Sequence, residues 1–441
     1  MPGPTARTVS GGGESSSQAP KIVLVLQGPL GPLYGQIAGH LMDAGTKVLR
    51  VDFSGNDVAD WPHKKAMDFS GRLDDWPAFL EQKIAPMGID AILLHGDRRP
   101  YHKAAISWAK ENGIAVWATE LGYMRPDWMT LERGGLSALS RFPVDPSQIK
   151  AIAGRCAPVD FEPRWQDRIW PLILGEIRFT LFNALALRRF PHYISHRGAS
   201  PMKVYSGWLA GRLRAASRRK DALQIPSAPF FVFALQLEGD LQLREHSPFK
   251  SVAETVDHVA ASFAAHAPAD TQLLLKPHPH EFGRRRLLEA ISSAGERYGL
   301  GARMSVIEGH TIAALCEGAN GFVTINSSAG IEALRAGCPV HAVLPTIYDV
   351  SGLTDQGLLD QFWAAPSVPD ATLFHDFCQA LAGTAQVRGT IYHPEGYRTA
   401  ARGIADRIIA GGKLDGLVNT EIDEASQPRL AKAAAMGVRY D

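Results

Sequence analysis

LLLKPHPHE (273–281) opens the stretch of sequence that decides the fold, and two further segments complete it: GHTIAALCEGANGFVTINSSAGIEALRAGCPVHAV (309–343) and PTIYDVSGLTDQ (345–356). This order of apolar runs and polar loops predicts strand, loop, helix, strand, Ser-rich turn, helix and strand. In a parallel α/β sheet, ligands bind at the carboxyl ends of the strands, and a helix N-terminus there favours an anion. We therefore expect the hydroxyls of Ser327 and Ser328, and the amides of a helix starting after Gly330, to hold a phosphate-bearing ligand.

The N-terminal half alternates strand and helix patterns in the same way. It is predicted to contain a helix that ends at Gly45, a helix over 100–112, and four buried strands, at 22–26, 47–53, 91–95 and 114–118. The loop GPLGPLYG (28–35) has neither the Lys-Ser/Thr of a nucleotide P-loop nor GxGxxG spacing. It is either a tight strand-to-helix turn or a backbone floor beside an acceptor, with Gly28 touching the substrate.

A second α/β half begins at the buried strand FFVFAL (230–235). Gln236 and Asp240 follow this strand, and Gly239 between them allows a close backbone approach. Asp240 therefore either faces a cleft or caps a turn.

The fold class predicted from these patterns is α/β, with two Rossmann-like domains facing a central cleft, which is a GT-B-like plan. The expected N-terminal acceptor domain spans 21–215, and the expected C-terminal donor domain spans 228–410. Residues 1–20 are rich in Gly, Ser and Pro, so we expect a disordered tail and not a secretory signal. The C-terminal tail, 411–441, is expected to contain one short helix at 427–436.

Composition excludes several classes of protein. The 441-residue chain has a net charge of +1, which gives no argument for nucleic-acid binding. No run of about 18 apolar residues occurs, so no membrane-spanning helix is expected. The cysteines are scattered, without a CxxC pair, which predicts reduced core thiols and no metal centre: Cys156, Cys316, Cys338 and Cys378.

ELGYMRPDWMTLE (120–132) is a dense polar and aromatic cluster just past a predicted strand. In one interpretation, Arg125 pairs with a glutamate and fixes a loop. In the other, the cluster faces a substrate, with Glu120 doing hydroxyl or proton chemistry and Arg125 binding an anionic group.

Residues 164–190 form a segment of different character. Apolar residues recur every four positions, aromatic residues accompany them, and the segment ends at Arg188 and Arg189. The run RLRAASRRK (212–220) follows with five basic residues. An amphipathic helix beside basic residues is typical of a membrane interface, although a packed helix followed by a solvated linker has the same pattern.

The order of these motifs resembles the capsular polysaccharide biosynthesis family, in particular its KpsS/LipB-type β-Kdo transferases. The resemblance covers roughly 21–405. It is carried by the ELGYMRPDWMTLE block (120–132) and by the order of six further segments: LQGPLGPLYGQIAGHL, VDFSGND, QLEGDLQLREHS, KPHPHE, NSSAGIEALRAGCPV and IYDVSGLTDQGLLDQFW. It implies a GT-B-like fold, CMP-Kdo as donor, β-retention, and neither a metal nor another cofactor. The chain has one set of motifs, which favours the branch that adds the first Kdo to lysophosphatidylglycerol over the two-module KpsC branch.

The resemblance also implies roles for individual residues. The His-Pro pair of the family falls on His278 and Pro279 and its Ser pair on Ser327 and Ser328, both associated with CMP binding. Lys276 would offset the charge of the phosphate.

The aspartate of the family's QxxGD block corresponds to Asp240, the candidate nucleophile, and its acidic acid/base candidate corresponds to Glu120. Arg125 and Arg244 are looser candidates for the Kdo carboxylate.

The lipid acceptor implies a cytoplasmic protein held peripherally on the inner membrane, with other capsule proteins as potential partners. Two alternatives stay open: a GT-B transferase or epimerase that uses another nucleotide sugar, and a non-catalytic scaffold of capsule assembly or export.

Overall fold

The computed structural model describes residues 19–63, 65–165, 169–195, 225–237, 243, 247–278, 284–411 and 427–438. Residues 1–18 of the predicted tail at 1–20, and the basic run at 212–220, lie outside these residues. The described chain folds into two α/β units, each built on its own sheet.

The first unit contains strands and helices in alternating order. The strands are β1 (Ile22–Val25), β2 (Lys47–Asp52), β3 (Ala66–Asp68), β4 (Ala91–His95), β5 (Ala115–Leu121) and β6 (Trp128–Arg133). The helices are α1 (Leu33–Asp43), α2 (Gly55–Asp60), α3 (Trp76–Phe79), α4 (Pro100–Glu111), α5 (Pro146–Ala153) and α6 (Ile169–Leu185).

The second unit begins near residue 230. Its strands are β7 (Phe230–Ala234), β8 (Gln272–Lys276), β9 (Met304–Val306), β10 (Gly321–Thr324) and β11 (Val340–Ala342). Its helices are α7 (Val252–His266), α8 (Arg284–Arg297), α9 (Ile312–Cys316), α10 (Ala329–Arg335), α11 (Leu359–Phe362) and α12 (Ala371–Thr384). The chain continues with β12 (Gln386–Arg388), α13 (Pro394–Ile409) and α14 (Gln427–Ala435).

The first sheet has the order β12-β6-β5-β4-β1-β2-β3. The strands from β3 to β5 are parallel, as the alternating pattern predicts, with Leu24 opposite Leu49 on one side and Ile92 on the other. The sequence places 120–132 past the end of a strand, whereas in the structure Glu120 lies within β5 and Trp128 begins the antiparallel strand β6. All but the last residue of β6 are buried, so alternation of apolar and polar residues does not mark it.

The second sheet has the order β11-β10-β7-β8-β9, and all its strand pairs are parallel. β7 lies at its centre and is buried along its whole length, which is why its sequence is an unbroken apolar run. The strands in the 273–343 stretch therefore all belong to this sheet, and their carboxyl ends meet at one edge.

The last strand and the long helix α13 return to the first sheet. β12 pairs antiparallel with β6, and α13 packs against α1. The boundaries expected from sequence place residues 386–409 in the second half, whereas the structure packs them on the first. Two chain crossings thus join the units, and this architecture is GT-B-like.

The two units also share a continuous apolar core. Met124 and Phe142 of the first unit belong to the same buried cluster as Phe230 and Phe322 of the second. Arg429 of α14 is buried beside this junction and donates hydrogen bonds to five carbonyl oxygens, of Ser140, Phe142, Pro143, Thr346 and Ile347. Burial lowers the pKa of Arg429 to about 10, so the guanidinium is still charged at neutral pH.

Replacing Arg429 should weaken the junction between the two units. In R429M the five carbonyls lose their donor, and a buried carbonyl without a partner is costly, so we expect the free energy of unfolding to fall by about 3 kcal/mol or more. Urea unfolding followed by circular dichroism measures this. R402M is the control, because Arg402 is 78% exposed and forms an i,i+4 ion pair with Asp406. Equal urea midpoints for the two variants would contradict the role given to Arg429.

Candidate active site

Glu120 and His95 form a polar pair at the carboxyl edge of the first sheet. The side chain of Glu120 is 38% exposed, and its Oε1 lies 3.6 Å from Nε2 of His95. Nδ1 of His95 lies 2.9 Å from Oγ1 of Thr119, which in turn is 2.8 Å from the hydroxyl of Tyr34. A chain of hydrogen-bonding groups therefore fixes the imidazole next to the carboxyl group.

The environment favours the neutral imidazole. Burial lowers the pKa of His95 well below its usual value, and the charge of Arg99 lowers it further. Partial burial raises the pKa of Glu120, while an N–H bond from Leu121 and the charge of Arg99 oppose the increase. The pair is thus a carboxyl group beside a neutral histidine, which suits proton transfer better than an ion pair would.

Two glycines hold this corner open. Gly96 has φ +72°, and a Cβ there would lie 3.4 Å from Oε2 of Glu120 and 3.6 Å from Nε of Arg99. A Cβ at Gly28 would lie 2.8 Å from the ring of Tyr34, and the Gly28 carbonyl accepts a 3.0 Å hydrogen bond from Arg99. Gly28 and Arg99 line one small cavity, and Arg99 also lies close to Glu120 above Gly96.

The second sheet presents its own polar edge. Gln236, just after β7, donates a 2.7 Å hydrogen bond to Asn326, just after β10, and both are buried. Lys276 ends β8 and donates a 2.7 Å bond to the carbonyl of His310. Burial lowers the pKa of Lys276, and the nearby Glu332 carboxylate partly restores it. Partly buried His278 follows two residues later.

The Ser pair lies at the start of α10, as its sequence predicts, but the local geometry differs from the expected one. The helix begins at Ala329, before Gly330, and the N–H groups of Ala329 and Gly330 donate to Oγ and the carbonyl of Ser327. These two amides are therefore already occupied. Side chains, and not the opening amides, are left as the main groups for an anion at this edge.

A contact between the units connects the two edges. Nη1 of Arg335, in α10, donates to the carbonyl oxygen of Arg125 at 3.3 Å. Burial raises the pKa of Glu332, and the charges of Arg125, Arg335 and Lys276 oppose that increase. The loop that follows Glu120 thus reaches the helix that follows the Ser pair.

The structure distributes the predicted site residues over both edges. Gly28, Glu120 and Arg125 lie on the first unit, and Gln236, Lys276, His278, Ser327 and Ser328 lie on the second. Asp240, Arg244 and Pro279 lie outside the described residues, so their predicted roles stay predictions.

The sequence interpretation missed the residues that surround Glu120. His95, Thr119 and Arg99 all lie at or just beyond the ends of β4 and β5. The signal was present in HGDRRP (95–100), a polar run directly after a buried strand. It gives no indication that Tyr34, far away in sequence, completes the hydrogen-bonded chain.

Two doubly wound units with facing polar edges define a protein of the GT-B-like class. A family model for capsule polysaccharide biosynthesis proteins matches residues 90–392. The chain therefore belongs to the capsule polysaccharide biosynthesis family.

Two relatives that are more than 30% identical to the chain agree with this membership. The chain is 32% identical over 386 residues to the capsule polysaccharide export protein KpsS of Escherichia coli, covering 84% of this chain and 97% of that protein. It is 31% identical over 385 residues to the capsule polysaccharide modification protein LipB of Neisseria meningitidis serogroup A, covering 84% and 91%. A solved structure of Thermosulfurimonas dismutans KpsC, beta Kdo 2,7 transferase, matches with 14% identity and a TM-score of 0.40, covering 88% of this chain and 97% of that one.

Within the described ranges, we find no helix that combines the length and the apolar character needed to cross a membrane.

Gly330 offers a test of the Ser-pair edge. A Cβ at this position would lie 2.4 Å from the hydroxyl of Tyr348, which itself bonds the carbonyl of Ser327. We expect G330A to displace the start of α10 and with it the Ser pair. Binding of cytidine monophosphate should then weaken by about tenfold, which is the usual effect of losing one hydrogen bond. Isothermal titration calorimetry measures this. G318A is the control, since its Cβ would meet ordinary contacts at 3.5 Å or more, and equal binding by both variants would contradict the assignment.

Glu132 is a buried carboxyl group just behind the site. It accepts hydrogen bonds from the hydroxyls of Tyr123, at 2.8 Å, and Ser140, and Tyr123 also receives an N–H bond from Ser137. Burial raises the pKa of Glu132 from 4.5 to about 7, although these hydroxyls and the charge of Arg429 oppose the increase.

This pKa predicts a pH-dependent stability. Between the unfolded value of 4.5 and the folded value of about 7, the native state binds the extra proton, so its stability falls as pH rises through this range. In the wild type, titration of Glu132 should lower the free energy of unfolding by roughly 2–3 kcal/mol between about pH 5 and pH 8. E132Q should lack this contribution. Urea titrations at both pH values measure it. E289Q, at a 58% exposed position, should follow the wild type; an E132Q curve parallel to the wild type would disprove the assignment.

Proposed function

We propose that the chain is a retaining β-Kdo glycosyltransferase. It transfers Kdo from CMP-Kdo to a lysophosphatidylglycerol lipid and so starts the poly-Kdo linker of a Gram-negative capsular polysaccharide. The proposal is supported by membership of the capsule polysaccharide biosynthesis family and by similarity to E. coli KpsS over 97% of that protein.

One observation carries the proposal further. The 3.3 Å bond from Arg335 to the Arg125 carbonyl connects the loop beside Glu120 to the helix that follows the Ser pair. We infer that the carboxyl group with a raised pKa and the polar edge with Lys, His and Ser serve one reaction, and this contact supports the inference. A transferase needs this combination, because one side must hold the leaving phosphate while the other handles the acceptor hydroxyl.

The donor occupies the edge of the second sheet. Lys276 and His278 neutralise the cytidylate phosphate, and the hydroxyls of Ser327 and Ser328 bind its oxygens. Cytidylate leaves as a stable phosphate monoester, so it needs nearby positive charge more than a proton.

Two displacements give retention. The Asp240 carboxylate attacks the anomeric carbon of Kdo, the bond to the phosphate oxygen breaks, and CMP leaves with the bonding electrons. The acceptor hydroxyl then attacks the same carbon and expels Asp240, while Glu120 takes the hydroxyl proton. Arg125, and more loosely Arg244, binds the Kdo carboxylate; Gln236 and Gly28 line the sugar and acceptor sides.

Because the acceptor is a membrane lipid, the reaction takes place on the cytoplasmic face of the inner membrane, with the enzyme held there peripherally. Other capsule proteins are the partners that would receive its product.

A second function is favoured by one specific finding: the E. coli relative is called an export protein. A scaffold for export would keep the fold without turnover. A transferase or epimerase of another nucleotide sugar is the remaining alternative, and it predicts hydrolysis of UDP-sugars in place of CMP-Kdo.

Mass spectrometry of the lipid product tests the proposal. A lysophosphatidylglycerol analogue incubated with the protein and freshly made CMP-Kdo should gain the mass of one Kdo. A mass gain only on an acceptor that already carries Kdo would assign a chain-extending activity instead. No mass gain on either acceptor would favour the non-catalytic scaffold.

Substitutions test the two carboxyl groups in the same assay. D240A should abolish transfer, and E120Q should lower its rate by about a hundredfold or more, since general acid–base catalysis contributes on that scale. Because the raised pKa of Glu120 lets the basic form appear only above the usual carboxyl range, the wild-type rate should rise with pH through that raised pKa. E120Q should lose this rise, whereas E289Q should keep it. Intact transfer in both D240A and E120A would exclude the mechanism.

A further inference from the structure

The outward face of α6 is a continuous apolar surface. Trp170, Leu174, Ile177, Leu181 and Leu185 are each between 50% and 73% exposed. At 3.6 residues per turn, these five positions fall within an arc of about 80°. We call them the α6 stripe. A soluble protein rarely leaves this many large apolar side chains together in water.

The opposite face of α6 is firmly packed on α2. Asn183 Oδ1 accepts a 3.0 Å bond from the N–H of Asn56, and Arg178 donates to Oδ1 of Asp60 at 3.2 Å. A Cβ at Gly55 would lie 2.0 Å from the carbonyl oxygen of Phe182, so the two backbones are in direct contact. The orientation of the stripe is therefore fixed by these contacts with the first unit.

A small polar cavity, with room for about one hydroxyl-sized group, lies between this inner face and the edge of the first sheet. Phe179 of α6 and Tyr193 line it on one side, and Gly28, Asn56 and Arg99 line it on the other. Arg99 connects it to Glu120, since both side chains lie close to the same point above Gly96. A ligand in the cavity would thus be next to the proposed acid/base group.

Asn56 has hydrogen-bonding capacity that the protein leaves unused. Its Nδ2 donates a 2.9 Å bond to Asp60, which fixes the amide orientation. Its Oδ1 is buried and has no hydrogen-bond partner among the described residues, although Asn56 is only 7% exposed. A buried acceptor without a donor is costly, and a ligand hydroxyl would satisfy it.

We propose that α6 delivers the lipid acceptor: the α6 stripe lies on an anionic bilayer, and the small cavity on the inner face of α6 receives one hydroxyl of the headgroup. This inference rests on the proposed function for the identity of the acceptor. Apolar side chains immersed in the interface and a polar pocket directly beneath them fit a molecule with an acyl chain and a glycerol headgroup.

Charge at the end of α6 specifies an anionic lipid surface. Arg188 and Arg189 follow the last stripe residue, and Arg189 pairs with Asp68 at 2.5 Å while keeping about half of its side chain exposed. Basic residues next to an apolar helical face attract anionic headgroups.

Vesicle binding tests the stripe without any substrate. Co-sedimentation with phosphatidylglycerol vesicles should show binding by the wild type and a decrease of about tenfold or more in L174Q/I177Q/L181Q, because three apolar side chains leave the interface. The matched control is L288Q/L358Q/V368Q, which changes three exposed apolar residues of the second unit. Equal binding by the wild type and the stripe variant, or no binding by the wild type, would overturn the proposal.

Calorimetry with a short-chain lysophosphatidylglycerol, kept below its micelle concentration, tests the pocket. N56L should raise the dissociation constant by about tenfold, as loss of a buried hydrogen bond does, while the stripe variant should bind this soluble acceptor like the wild type. Thermal unfolding and cytidine monophosphate binding of N56L check that the rest of the protein is intact. An unchanged dissociation constant would remove the pocket from the proposal.

Neither binding measurement depends on turnover, so failure of the proposed transferase function can be distinguished from failure of the lipid-binding proposal. If the wild type binds vesicles and the short-chain lipid but transfers no Kdo, the transferase assignment fails and the lipid-binding surface stands. If it transfers Kdo to the short-chain lipid but the stripe variant binds vesicles normally, the transferase stands and the docking surface fails.

Discussion

The candidate site depends on the hydrogen bonds of one side-chain amide, that of Gln386. Gln386, the first residue of β12, accepts a 2.9 Å bond from the N–H of Tyr123 and donates one at 2.9 Å to Thr130. It thereby attaches the returning chain to the edge of the first sheet and also fixes the loop between β5 and β6. That loop contains Arg125, whose carbonyl meets α10. The hydrogen bonds of this buried glutamine thus fix the loop that contacts α10, and they act together with the shared apolar core and Arg429.

The two sheet edges differ in the charged groups that they present. The first sheet surrounds Glu120 with a neutral histidine and a nearby guanidinium. Burial therefore raises the pKa of Glu120, and the charge of Arg99 limits the increase. The second sheet offers Lys276 and His278 in place of free helix amides, because Ser327 already occupies the first two. The His310 carbonyl holds the ammonium group of Lys276, so the positive charge at this edge has a fixed position.

Local sequence patterns predict the local parts of this fold and fail where distant segments meet. The strand 91–95 and the centre of the second sheet are predicted correctly, because a buried parallel strand is a continuous apolar run. β6 is missed because it is buried on both faces without being uniformly apolar, and the return of 386–409 is missed because no short-range signal records which sheet an edge strand joins. In the site, Glu120 and the Ser pair stand out by residue type, whereas the partnership of Tyr34, Thr119 and His95 depends on contacts across up to 85 residues of chain.

The backbone contact between Gly55 and Phe182 has a mechanical consequence. With no side chain at position 55, the backbones of α2 and α6 approach one another closely. Any larger residue at this position would push the two helices apart. It would also change the shape of the cavity, because Asn56 of α2 and Phe179 of α6 line it together.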